Sequence, residues 1–360
     1  MKIGFVFHKD SHLKAVEMTA LRVMRQYVDA QFCFFGLLVD NNLKPDIKVT
    51  YQIVCDNNFF IMKNYDYLIC CLGGRLLNQL ISHYSDSSTK VVSLFPGVVS
   101  HYQLDAFITR FRADQVWLNC AADMKFYAHL CHIFNVRNNS ILYGAPWIDT
   151  NQSDDHVFDN LIIFFEQTQV ILNANMASKV LMQLINIIKS KPDCHFIYKT
   201  RDNIYNEYLV DIRKQIQALP NVTITNKLNK QDIARAGEYL SISSSAIIEG
   251  LVHHKRCFLL SKDYLDGDSR EIFSDSGLFL DQSQQSLSQK WLNERVSLPN
   301  KHIDLLSIYK QKLPDLSKKN IEVIFYFFNL CLICPKLFKL FFNIKKIKLI
   351  KRSLEYVSNA

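Results

Sequence analysis

Short apolar runs of five to nine residues, rich in β-branched and aromatic side chains, recur along most of the chain: 3–7, 31–39, 67–72, 90–95, 115–119, 161–166, 195–199, 221–225, 239–243 and 256–260. Between several of them lie stretches with apolar residues at helical spacing, such as 13–27 and 178–189. Continuous buried strands alternating with amphipathic helices predict parallel sheets covered by helices on both faces. A polar segment over 149–159 separates two such series of similar length, and no internal repeat is evident. The expected organisation is α/β, with two doubly wound Rossmann-type domains facing across a cleft. The first spans residues 1–152 and the second 153–315, followed by a basic, apolar helical tail over 316–360.

Composition agrees with this picture. A chain of 360 residues has room for two domains, and 49% hydrophobic residues with 25 Phe and 16 Tyr supply their cores. With 21% charged residues, 10 Gly and 8 Pro, neither a disordered nor a fibrous protein is expected. Cys70 and Cys71 are adjacent inside an apolar run, which reads as reduced thiols used as small buried residues. Met1-Lys2 leads straight into the first run, so no signal peptide is read and an intracellular location is expected.

The net charge of +8 is unevenly placed. Nine cations and two acids after position 315 give that tail +7, which leaves +1 for residues 1–315. A nearly neutral body gives no reason to expect nucleic acid as a partner. The tail is apolar from 321 to 334 except at Glu322 and Asn329, and is then interrupted by Pro335, Lys336 and Lys339. A membrane span needs about 20 apolar residues. The expectation is therefore an interfacial segment, with the basic 336–352 stretch on an anionic surface and the protein peripheral on the inner face of the cytoplasmic membrane.

Candidate chemistry falls where strands are expected to end. Ser243-Ser244-Ser245 follows an expected strand and precedes an expected helix containing Glu249. Hydroxyls and unpaired N–H groups at such a turn suit a phosphate, and Glu249 would suit a ribose; one serine acting as a helix cap is the plainer alternative. Lys199 and Arg201 are two residues apart at another strand end, suited to paired anion contacts or simply to solvent. In the first half, the loop after the first strand carries His8, Asp10, Ser11 and Lys14, with Asp10 or Ser11 also a good helix cap. Pro96-Gly97 makes a turn followed by His101. Gly73-Gly74-Arg75 lacks the rest of a dinucleotide fingerprint, and Cys331/Cys334 lack a second ligand pair, so neither is assigned a site. No metal and no resident cofactor are assigned.

Together, several short motifs resemble a bacterial family of GT-B glycosyltransferases similar to the sialyltransferase modules of meningococcal capsule polymerases. They are Asp10-Ser11 with Leu13-Lys14, Phe95-Pro96-Gly97, Arg112-Ala113-Asp114, Val116-Trp117-Leu118-Asn119, and Tyr143-Gly144 with Pro146. In the second half they are Phe164-Phe165-Glu166-Gln167, Tyr198-Lys199 with Arg201, and Ser243-Ser244-Ser245 with Glu249-Gly250. The resemblance implies an inverting, metal-independent transferase that takes a nucleotide sugar, CMP-sialic acid first, and builds a surface glycan on a glycan or lipid-linked acceptor. Lys199, Arg201, the three serines and Glu249 would then bind the donor. Asp10 would be the general base, with His101 and His8 as alternatives, and Ser11, Lys14, Pro96 and Gly97 would lie on the acceptor side. The chain has no His-Pro dipeptide, which several such families use to hold cytidine; Lys199-Thr200-Arg201 stands in its place. A UDP- or GDP-hexose donor, an epimerase-like enzyme and a non-catalytic scaffold are the competing expectations.

Overall fold

A computed structural model describes residues 1–39, 43–54, 58–150, 158–201, 207–260, 262–280 and 286–311. The expectations for the 316–360 tail lie outside these residues. Two compact units result, Met1–Ile148 with Ser297–Gln311, and Asp149–Val296.

In the first unit the order is β1 (Lys2–Phe7), α1 (Asp10–Gln26), β2 (Gln31–Leu37), β3 (Thr50–Val54), β4 (Tyr67–Cys71), α2 (Gly74–His83), β5 (Lys90–Leu94), α3 (Leu104–Ile108), β6 (Gln115–Leu118), α4 (Ala121–Ile133) and β7 (Ser140–Leu142). All seven strands are parallel, in the spatial order β3-β2-β1-β4-β5-β6-β7. Alternate side chains feed two cores, as a doubly covered sheet requires. Val6, Leu68 and Cys70 join the core under α2, α3 and α4, whereas Phe5, Phe7, Ile69 and Cys71 join the one under α1. Cys70 and Cys71 thus lie on opposite faces of the sheet, and burial raises both thiol pKa values.

The second unit runs β8 (Phe158–Phe165), α5 (Ala174–Ser190), β9 (His195–Lys199), α6 (Val210–Gln217), β10 (Val222–Thr225), α7 (Lys230–Arg235), β11 (Ala236–Ser241), α8 (Ala246–Val252), β12 (Arg256–Leu259), α9 (Gly267–Phe273) and α10 (Gln289–Arg295). Its five parallel strands are ordered β10-β9-β8-β11-β12. All ten predicted apolar runs are strands. The two strands that the hydrophobic pattern missed, β3 and β7, are the edges of the larger sheet, where half-exposed positions and a three-residue length leave little apolar signal.

One boundary needs correction. The second domain was expected to reach 315, yet the chain from Ser297 to Gln311 belongs to the first unit. Ile303, Leu305 and Ile308 are buried in the core under α1. Tyr27 Oη donates to Ile303 O at 2.7 Å and accepts from Leu305 N at 2.8 Å. Farther on, Asp114 accepts from Gln311 N at 2.7 Å and pairs with Lys310 at 3.3 Å. Gly144 allows the strap to pass: its φ is +91°, and a Cβ there would come within 2.0 Å of Leu298 O. Among the described residues no helix is long and apolar enough to cross a membrane.

Candidate functional site

In the second sheet the strand order reverses direction between β8 and β11, so the loops leaving these two strands border the crevice where open α/β sheets take ligands. The serine turn leaves β11. Ser241 Oγ donates to Phe165 O at 2.9 Å, which ties the ends of β11 and β8 together. Ser244 Oγ accepts from Ala246 N at 3.2 Å in a local turn, while Ser245 holds the cap position of α8 without a side-chain cap bond. The Ser243 and Ser245 hydroxyls make no hydrogen bond to the described residues. One of the three serines is therefore accounted for by folding.

The loop leaving β8 begins with Glu166, a residue that the sequence reading did not single out as a site. It is 1% exposed and pairs with Arg213 of α6. Its other carboxylate oxygen accepts from Arg201 N at 3.1 Å, and Thr168 Oγ1 reaches the first at 3.5 Å. Burial, and next the Glu166 charge, push the neighbouring Tyr198 hydroxyl well above its usual pKa. This buried network fixes the backbone of the Lys199-Thr200-Arg201 turn beside the end of β8, while Arg201 itself is exposed and Lys199 half-buried. An acid directly after the apolar run 161–165 was the available signal. Glu249 is buried in the first turn of α8, where burial and then the Glu249 charge raise the Tyr239 hydroxyl pKa.

The first sheet reverses between β1 and β4. His8 leaves β1 and its Nδ1 lies 2.7 Å from Leu37 O. A carbonyl only accepts, so Nδ1 carries the proton and Nε2 of the neutral ring keeps its lone pair. Asp10 is the exposed first residue of α1; Lys9, not Asp10 or Ser11, occupies the cap position, and no side chain caps this helix. Ser11 is half-buried and Lys14 exposed on the same helix. His12 Nδ1 is buried without a partner among the described residues, and its pKa falls to about 3 through burial, then the charges of Lys9, His8 and Arg110.

Beyond β5, Pro96 and Gly97 are half-buried, and Gly97 O accepts from Asn119 Nδ2 at 2.7 Å. His101 Nε2 lies 3.1 Å from buried Asp123 of α4, and the ring stacks on Phe126 with centroids 4.3 Å apart. The first-unit candidates thus collect at one sheet edge, His8, Asp10 and Ser11 after β1, and His101 with Pro96-Gly97 after β5.

The expectation of a metal-independent enzyme rested in part on the chain having no Asp-x-Asp triplet, and that was wrong: Asp266-Gly267-Asp268 opens α9. Asp266 caps the helix, accepting from Ser269 N at 2.8 Å.

Residues 57–294 match the family described as Putative glycosyltransferase (DUF6716). The chain belongs to this family. Among curated proteins, no sequence relative is found. Solved structures share the fold at low identity. UDP-GlcNAc 2-epimerase from Neisseria meningitidis, bound to UDP-GlcNAc, matches at 10% identity and TM-score 0.53, covering 78% of this chain and 86% of that one. The Methanocaldococcus jannaschii UDP-GlcNAc 2-epimerase, in complex with UDP-GlcNAc and UDP, matches at 10% identity and TM-score 0.54, over 78% and 88%. A variant of the wall teichoic acid polymerase TagF, soaked with CDPG, matches at 11% identity and TM-score 0.56, over 83% and 85%. The family assignment makes the chain a glycosyltransferase, and the matches give its two sheets the GT-B and epimerase-like Rossmann fold.

Proposed function

We propose that the chain is an inverting glycosyltransferase that uses a nucleotide sugar, with CMP-sialic acid as first candidate, to extend a bacterial surface glycan. The observation that carries this reading is the serine turn at the β8/β11 switch point, with two hydroxyls left over after folding. Donor binding is assigned to the second unit: Ser243, Ser244 and Ser245 receive the phosphate, Lys199 and Arg201 balance its charge, and Glu249 is the ribose candidate. These groups meet the leaving phosphate's charge without requiring a metal.

Proton removal is assigned to the first unit. The acceptor oxygen bonds to the anomeric carbon, the carbon–oxygen bond to the nucleotide breaks, and the phosphate leaves with that electron pair. His8 is preferred as base because its Nδ1–H bond to Leu37 O fixes the tautomer and leaves Nε2 to take the proton. Asp10, an exposed residue in the first turn of α1, is the weaker candidate because no hydrogen bond to the described residues orients its carboxylate. His101, oriented by Asp123, is the remaining alternative.

A second reading, a UDP-hexose donor or epimerase chemistry on a UDP-sugar, is favoured by the fold shared with epimerases solved with UDP-GlcNAc. Incubation with CMP-sialic acid and with UDP-hexoses, each with and without a glycan acceptor, separates the two. Transfer from the CMP-sugar supports the first reading, and interconversion of a free UDP-sugar supports the second. Failure of CMP, UDP and GDP alike to raise the melting temperature rejects both. The +7 tail extends the proposal to peripheral attachment on an anionic leaflet through 336–352. Vesicles containing phosphatidylserine should pull down the full chain at low salt and release it at high salt.

A further inference from the structure

At the β1/β4 switch point of the first unit, the N-terminus of α2 is bare. Gly73 holds the cap position without a side chain to accept from the first turn, and no acid follows in that turn. The exposed residue two places on is Arg75, a cation at the end of the helix where the backbone dipole favours an anion. A Cβ added at Gly73 or at Gly74 would meet nothing within 4 Å, so the space over this turn is open.

A second observation concerns the groups beneath. Asn78 is 4% exposed, and neither Nδ2 nor Oδ1 has a partner among the described residues. It follows Gly74 by four residues and shares its helix face. Helical side chains lean toward the N-terminus, which directs the Asn78 side chain toward the turn that Gly74 begins. Arg110 is 2% exposed and makes no ion pair among the described residues. Its Nη2 donates to Leu72 O, the last carbonyl before Gly73, at 2.8 Å, and its Nε is buried without a partner. Buried polar groups are normally satisfied, and two such side chains with orphaned atoms flanking an uncapped helix end mark a place built for a partner.

We propose that the turn from Leu72 to Arg75 is an anion site that receives a carboxylate or phosphate group. Its oxygens would meet the free N–H groups of the first turn of α2, the Arg75 guanidinium and the Asn78 amide. Identifying this anion as part of the sugar acceptor rests on the proposed function; anion binding itself does not. The acceptor class that follows is an acidic glycan or a phosphate-bearing one.

The test titrates the full chain with inorganic phosphate and separately with glucuronate, by calorimetry at fixed ionic strength. Gly73 is extended at φ −142°, so Gly73→Asp is sterically allowed and brings its own carboxylate to the cap. That variant should melt higher than wild type yet bind the preferred anion at least tenfold more weakly. Arg75→Glu should weaken it by a similar factor. Ser243→Ala with Ser244→Ala should leave this binding event intact, which separates it from the donor site. Preference for phosphate or for glucuronate names the acidic group. Wild-type affinity in both Gly73→Asp and Arg75→Glu overturns the proposal, as does loss of all anion binding in the double serine variant or binding of neither probe.

Discussion

The two sheets end in edges that hold their buried charges differently. At the carboxyl edge of the second unit a buried carboxylate has an ion-pair partner: Glu166 answers Arg213, the Arg201 backbone and Thr168, and Ser241 fastens β11 to β8, while the neighbouring Tyr198 Oη has no hydrogen-bond partner among the described residues. At the same edge of the first unit Arg110, Asn78 and His12 are buried with orphaned atoms. Satisfied buried networks rigidify a site, while unsatisfied ones store a desolvation penalty that a ligand or ordered water relieves. The second unit thus holds its buried charge as an ion pair, the first holds a buried guanidinium on backbone carbonyls and the Phe95 ring, and both keep orphaned polar atoms.

This contrast can be broken experimentally. The largest effect is expected at His8. Exchange of His8→Gln should lower transfer by about 10²–10⁴-fold, the range for lost general base catalysis, with nucleotide affinity unchanged. Asp10→Asn should leave transfer within a few-fold of wild type; the reverse outcome moves the base to Asp10. Next, Glu166→Ala should destabilise the second unit by about 3 kcal/mol in urea unfolding, because it strands a largely buried guanidinium. Asn78→Leu should do the opposite in the first unit and stabilise it by roughly 1 kcal/mol, since an orphaned amide is replaced by an apolar group of similar size.

His12 sharpens the comparison through pH. Its folded pKa of about 3 lies below the usual 6.5, so between these values the unfolded chain binds a proton that the native state does not. The associated stability is present above pH 6.5 and is lost as pH falls toward 3, at a slope approaching ~1.4 kcal/mol per pH unit. Unfolding curves for wild type and His12→Leu should diverge in slope over that window. The smallest effect belongs to the serine turn. Ser244→Ala removes a local turn bond and should cost about 1 kcal/mol, whereas Ser243→Ala should leave stability unchanged and reduce only donor binding.

Much of the architecture was legible because continuous apolar runs mark strands buried on both faces. Edge strands β3 and β7 escaped because partial exposure weakens that signal. The positions of His8, Asp10, Ser243 and Lys199 at strand ends were legible too, since each closes an apolar run or lies within three residues of its end. What escaped was pairing over distance. Nothing local in the sequence joins Glu166 to Arg213, 47 residues away, or His101 to Asp123. Gly73-Gly74 matched no fingerprint and was set aside, yet it opens α2 with no cap. The Ser297–Gln311 strap was assigned to the wrong unit because its few apolar residues show no period that names their partner.

That strap has a consequence for how the chain acquires its structure. The first unit is interrupted by the whole of Asp149–Val296, so Ile303, Leu305 and Ile308 leave the ribosome long after the sheet they cover. Until then the core beneath α1 remains partly open to solvent. Closing a loop of this length carries a chain-entropy cost of about 4 kcal/mol beyond a constant term, so the strap docks late unless the intervening unit has already condensed. The second unit is contiguous and can mature first. A chain halted at 296 should therefore yield a protease-resistant fragment of the second unit and a readily cleaved first unit, while one extended to 311 should resist in both. Gly144→Ala, which blocks the passage of Leu298, should make the full-length chain behave like the halted one.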